Sequence, residues 1–181
     1  MEKLFQLIFQ NHPDFAKEIK GVSEVRILRL ERMSHLLRFP QGYRTFLHYM
    51  GEVMGRVNVI QRGESQWAPG DIREFQYNIS VDYASLLREY KRDPKNVKNG
   101  FEPLLQDLGA KPNDYLLIGI NSRGADNGNF FIDLLSENLK VVEICYTRGI
   151  MERSPSLVEF LFNDYFHREV STFLHNKEWF V

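Results

Sequence analysis

The chain has 181 residues, 43% hydrophobic and 26% charged, which fits one domain with a full core and excludes a disordered chain. Its 23 Lys and Arg against 24 Asp and Glu give −1, which disfavours a strongly basic nucleic-acid binder as a whole-chain reading. The single cysteine, Cys145, excludes an intrachain disulfide and a cysteine-based zinc site, in keeping with a reducing cytoplasm.

The first eleven residues carry Leu4, Leu7 and Ile8 at helical spacing, widened by Phe5 and Phe9, and predict a short helix that must dock its apolar side. The stretch is broken by Gln6 and Gln10 and lacks a small-residue cleavage site, so it does not read as a signal peptide. Ser23 followed by Glu24 predicts the start of a second helix, running to about Leu37 and stopping before Pro40. Tyr43, Phe46, Leu47 and Met50 then form the cleanest amphipathic stripe in the chain, with Gly51 closing it as a C-cap glycine.

Val57, Val59 and Gln61 suggest a short strand, and residues 62–79 read as polar and turn-rich. Ser80 is a candidate cap for a helix to about Tyr90. The basic stretch 91–100 reads as an exposed loop, and Pro103 suits the first turn of a helix ending at Gly109.

The second half changes character. YLLIGI (115–120), FFIDLL (130–135) and LKVVEICY (139–146) read as three consecutive antiparallel strands, joined by the loop NSRGADNGN (121–129) and the turn SEN. Ser154-Pro155-Ser156 opens a last helix, with Pro155 at the first helical position and Ser156 and Glu159 at capping-box spacing. Leu157, Val158, Phe160, Leu161, Phe162, Tyr165 and Phe166 make it apolar around much of its circumference. Helices, then strands, then a helix predict an α+β fold with helices packed on an antiparallel meander, in a single domain over 1–181.

Chemistry is hard to find. No dinucleotide fingerprint or P-loop string occurs, and the glycines of 121–129 join two strands without opening a helix. Asp126, Asn127 and Asn129 could offer oxygen ligands, but Asp126 is the one carboxylate of that loop, so a polar hairpin loop is the stronger reading. His12, His35, His48, His167 and His175 show no metal-binding spacing, and Cys145 sits in an apolar strand as a small hydrophobe. The expectation is no enzyme, no cofactor, no metal and no membrane span.

Charge is asymmetric. Residues 1–100 hold 16 basic against 12 acidic side chains, +4, and residues 101–181 hold 7 against 12, −5. Residues 101–139 contain Lys111 and Arg123 against Glu102, Asp107, Asp114, Asp126, Asp133 and Glu137. An acidic surface there would attract a basic partner.

Three stretches together resemble the SUKH superfamily, the Smi/Knr-like proteins. The first is Glu31, Pro40, Tyr43, Phe46, Leu47 and Gly51, with Phe39 before the proline and Met50-Gly51-Glu52 where the family usually has Asn-Gly-Gly. The second is LLIGINSRGADNGNFFIDLL, where Ile118, Gly119, Gly124, Asp126, Asp133 and Leu134 fit. The third is the ending with Ser154 and SLVEFLF. The resemblance covers about 24–166, with a long insert at about 62–112. It implies an α+β fold with a curved antiparallel sheet (meander) flanked by N-terminal and C-terminal helices, and a cytoplasmic protein-binding domain. The first expectation is an immunity protein that occludes a co-encoded toxin, such as a basic nuclease domain, without touching nucleic acid itself. A regulatory or scaffold adaptor is the alternative, and an enzyme with an unrecognised site comes third. The expected partner surface is the acidic second half, with Asn121, Arg123, Asp126, Asn127, Asn129 and Glu137 as contact residues.

Overall fold

The computed structural model describes residues 1–11, 13–34, 36, 38–54, 60–63, 75–80, 83–92, 102–121, 128–145 and 148–166. The fold is α+β. Helices α1 (Glu2–Asn11), α2 (Phe15–Glu18), α3 (Glu24–Met33) and α4 (Gln41–Met50) come first, with a small ribbon of β1 (Ile19–Lys20) and β2 (Val53–Met54). Then come β3 (Ile60–Gly63), β4 (Phe75–Ser80), α5 (Tyr83–Arg92) and α6 (Glu102–Asp107). A one-turn 3-10 helix (Pro112–Asp114) leads into β5 (Tyr115–Asn121), β6 (Asn129–Asp133), β7 (Val141–Cys145) and β8 (Gly149–Ser154). Helix α7 (Leu157–Phe166) follows.

Among the described residues, β3 to β8 form one antiparallel sheet in simple sequence order. Register shifts leave an extra residue, Ile118, in β5 and another, Arg153, in β8, and bend those two strands. The three expected strands are therefore present as neighbours. The meander is longer than expected: β4 occupies part of the stretch read as turn-rich, and β8 was not foreseen. β8 (GIMERS) does not alternate, so periodicity could not separate it from a loop; β4 (FQYNIS) alternates apolar and polar residues throughout, a strand signal that the flanking polar, turn-rich residues outweighed. Val57 and Val59 lie outside the described residues, while Gln61 falls in β3.

The helices dock as their apolar stripes require. Leu4, Phe5 and Ile8 of α1 are buried. The Phe5 ring stacks on Tyr49 of α4 at 4.3 Å between centroids and meets Phe162 of α7 edge-on at 5.9 Å. Tyr43, Phe46, Leu47 and Met50 are all buried, as their spacing predicts. On α7, Phe160 packs its ring against Phe130 of β6 at 5.4 Å. All five residues of β7 are buried, so both faces of the sheet are covered there.

Several element ends move. Helix α3 stops at Met33, short of Leu37. Its last turn is captured locally: the Ser34 hydroxyl donates to the Glu31 carbonyl at 2.9 Å, and the Phe39 N–H donates to the Glu31 carboxylate at 2.8 Å. Gly51 ends α4 with φ −68°, so left-handed freedom is not its role; a Cβ there would lie 2.9 Å from the Leu47 Cα. Ser80 ends β4 and does not cap α5, which begins at Tyr83. Helix α5 also runs on to Arg92, into the stretch read as loop. Gly109, with φ 71°, does close α6 in the left-handed region, and the Ala110 N–H reaches the Leu105 carbonyl at 2.7 Å. Pro155 precedes the cap of α7 and is not its first helical residue. Ser156 is the cap, accepting the Glu159 N–H on its Oγ at 3.1 Å.

Candidate interaction site at the two ends of the sheet

The pairing register sorts the second half into two ends. Asn129 pairs with Ile144, and Cys145 with Gly149, so the start of β6 and the β7–β8 hairpin share one end. Tyr115 pairs with Asp133, and Val141 with Ser154, at the other. Five residues of β6 separate the ends by roughly 14 Å.

Of the expected contact residues, Arg123, Asp126 and Asn127 lie outside the described residues. Asn121 is the last residue of β5 and Asn129 the first of β6, so both are strand residues flanking the connection. Glu137 is exposed in the turn that follows β6, at the opposite end of that strand from Asn129. The expected set thus divides between two places.

The Asn129 end is organised by Glu143, which the sequence reading did not single out. Glu143 is buried within an otherwise apolar strand. One carboxylate oxygen accepts the Gly128 N–H at 3.2 Å and an Arg148 N–H at 2.7 Å; the other is held by Arg153. A buried carboxylate needs such partners to offset its desolvation. Gly128 must be small here, because a Cβ would come within 2.3 Å of the Glu143 Cγ. The signal was in the sequence: one Glu inside VVEIC, with Arg148 and Arg153 five and ten residues on.

The opposite end is a tightly bonded acidic turn. The Asp114 carbonyl accepts the Leu134 N–H at 2.8 Å, and the Asp133 carboxylate accepts the Leu135 N–H at 3.0 Å. Ser136 donates from its hydroxyl to the Asp133 carbonyl at 2.8 Å and accepts the Lys140 N–H at 2.6 Å. Leu139 takes a positive φ of 53°, a conformation held by the surrounding bonds. This turn presents Leu135 to solvent at 75% exposure, next to exposed Glu137. Leu135 was expected to continue the strand, and the apolar run FFIDLL concealed where it ends. Burial, and after it the charges of Asp133 and Asp114, push the Tyr115 hydroxyl above its ordinary pKa. Lys140 answers part of that charge but is itself paired with Glu152 at 3.2 Å.

Among the described residues, no group of three His, Cys, Asp or Glu could hold a metal ion, and no buried side-chain nitrogen or oxygen lacks a hydrogen-bond partner. No helix among them is long and apolar enough to cross a membrane. His48 faces Glu24 at 2.9 Å; the other four histidines lie outside the described residues. Cys145 is buried, as expected of a strand residue with apolar neighbours.

No protein-family model, no curated protein and no solved structure matches this chain.

Proposed function

We propose that the chain is a non-catalytic protein-binding domain of the SUKH kind, acting in the cytoplasm as an immunity protein that covers a co-encoded toxin. The observation that carries the reading is the turn after β6. It holds an exposed apolar side chain, Leu135, in a hydrogen-bonded frame beside Asp133, Glu137 and Asp114. A fixed apolar anchor with an acidic rim suits a partner whose surface is basic, such as a domain built to grip phosphates. The positions that carry the resemblance support the same reading by doing structural work. Tyr43, Phe46 and Leu47 fill the core, and Glu31 ties α3 to the segment leading into α4. A regulatory adaptor of the same fold is the second reading. It is favoured by exposed Arg29 and Arg32 on α3, which add a surface of opposite sign.

The test begins with the genes on either side. Each product is expressed alone and with this chain, and growth is measured. One product is expected to arrest growth alone and to be tolerated when this chain is present. Association is then measured for Leu135→Asp and Glu137→Lys at low and physiological salt. Slower association at low salt for Glu137→Lys is expected, with the gap closing as the Debye length falls to about 8 Å. Asp126→Lys tests the 122–127 stretch separately. If no neighbour is toxic, or none is neutralised, the immunity reading is overturned. Neutralisation indifferent to Leu135 and Glu137 overturns the assignment to this turn.

A further inference from the structure

Helix α3 has two faces that ought to differ and do not differ in the usual way. Ile27, Leu30 and Glu31 point inward and are buried. The outer stripe at i, i+3, i+4 and i+7 is Val25, Leu28, Arg29 and Arg32, all exposed. A face meant only for water would be polar throughout. Here Val25 is 77% and Leu28 39% exposed.

The neighbouring ribbon extends the pattern. Arg26 donates to Glu52 at 2.9 Å, which ties the residue before β2 to α3, and lies over the Tyr83 ring of α5 at 4.2 Å. Val53, next in the chain to Glu52, is 46% exposed and pairs across the ribbon with Lys20. Three of the five large hydrophobics exposed among the described residues, Val25, Leu28 and Val53, therefore lie on α3 and the ribbon tied to it. Scattered single exposures are ordinary; a stripe and an adjoining residue within a rim where one sign of charge predominates are not.

That sign is positive. Lys20 and Arg26 share the one carboxylate of Glu52, and among the described residues neither Arg29 nor Arg32 has an ion-pair partner. Glu24, at the start of the helix, is held by Arg44 and His48. The surface thus offers apolar contacts and uncommitted guanidinium groups on a helix anchored at both ends.

We infer that the outer face of α3, with β2 beside it, docks an acidic protein segment carrying apolar anchors. An amphipathic helix or extended strand with Leu or Ile between Asp and Glu residues would set its apolar side chains on Val25 and Leu28. Its carboxylates would then meet Arg29 and Arg32 in forked pairs. This surface is opposite in sign to the turn at Leu135, so the two would take different partners.

The test uses the whole chain, immobilised, with a displayed library of random peptides. Selected peptides are expected to be rich in Asp and Glu with interspersed Leu, Ile, Phe or Trp. The best one is synthesised and its affinity measured. Arg29→Glu with Arg32→Glu should weaken it by about tenfold or more, and Leu28→Asp similarly. Both variants change exposed positions, and matching thermal melts establish that they fold. Glu137→Lys should leave the affinity unchanged, which separates this face from the turn after β6. Peptides that are neutral or basic, peptides whose affinity ignores the two arginines, or no selected peptide at all would overturn the proposal. Vesicles of phosphatidylserine and phosphatidylcholine, and a duplex DNA, are measured in parallel. Arginine-dependent binding to either, without an acidic peptide, would overturn it in favour of lipid or nucleic acid.

Discussion

The buried carboxylate of Glu143 accepts the backbone N–H of Gly128 at 3.2 Å, so the strand β7 holds the entry to β6 through a side chain as well as through the sheet ladder. The same carboxylate carries Arg148 and Arg153, and through Arg148 it steadies the β7–β8 hairpin. One group thereby fixes three segments at one end of the sheet.

Removing that group should be costly. Glu143→Ala leaves two guanidinium groups facing each other and a backbone N–H without its acceptor. Loss of one side of a buried ionic cluster costs about 3–5 kcal/mol. Arg148 and Arg153 keep 44% and 30% of their side chains exposed, so water can reach them and the lower end of that range is expected. Urea unfolding of the variant measures it; a loss below about 1 kcal/mol would mean the cluster is a surface pair in effect.

Gly128→Ala tests the same junction by size. The added Cβ would meet the Glu143 Cγ at 2.3 Å, and that carbon belongs to a side chain already pinned by two arginines. Overpacking of this kind costs about 1–3 kcal/mol. Because the two sites touch, the double variant Gly128→Ala with Glu143→Ala should be less unstable than the sum of the singles. Simple additivity would show that the alanine clashes with something else.

The cap of α7 is a smaller and cleaner case. Ser156→Ala removes the acceptor of the Glu159 N–H, and caps of this type are worth about 1 kcal/mol. Ser156→Asp restores an acceptor near the positive end of the helix, yet Ser156 is buried, so the aspartate should recover only part of the loss. A thermal or urea melt of the three proteins ranks them, and Ala equal to Ser would remove the cap from the account.

These local rules were the legible part of the sequence. The stripe of Tyr43, Phe46, Leu47 and Met50, the Ser156 cap and the pairing of FFIDLL with LKVVEICY each depend on neighbours within a few residues. What stayed hidden depends on distant partners. Helix α3 ends at Met33, and beyond it the Glu31 carboxylate takes the Phe39 N–H, a bond no propensity encodes. Glu143 is legible as the one charge inside VVEIC, but its place beside Gly128 needed the register of three strands. The same register parts Asn129 from Glu137, which lie only eight positions apart in the chain and were grouped as one surface.

Alkaline titration tests the core from another side. The Tyr49 hydroxyl donates to the Glu2 carboxylate, which, with burial, raises its pKa to about 12. Burial pushes Tyr43 and Tyr90 up as well. A raised tyrosine pKa contributes stability that is present below the unfolded value near 10 and is lost as pH climbs through the folded value. Absorbance near 295 nm should therefore show these three tyrosines still protonated at pH 10, ionising together with alkaline unfolding. Tyr49→Phe should remove one of the delayed ionisations. Eight tyrosines titrating smoothly around pH 10 in the folded protein would contradict the packing of α1 on α4.

The last prediction concerns Glu31 and Arg44, which are buried together and join α3 to α4. Arg44 also reaches Glu24, whose side chain is half exposed, and Glu31 also accepts the Phe39 N–H. The two single variants should differ. Arg44→Met strands Glu31 in the interior with only a backbone donor left, and such a loss costs about 3–5 kcal/mol. Glu31→Gln keeps an acceptor for Phe39 and leaves Arg44 with Glu24, so about 1–3 kcal/mol is expected. In the double variant no charge is left stranded, so its cost should lie near that of Glu31→Gln with a modest packing change. Urea midpoints at constant m-value give all three numbers. Additivity of the singles within about 0.5 kcal/mol would mean the pair is uncoupled, and the junction between the two helices would then rest on Ile27, Leu30 and Leu47 alone.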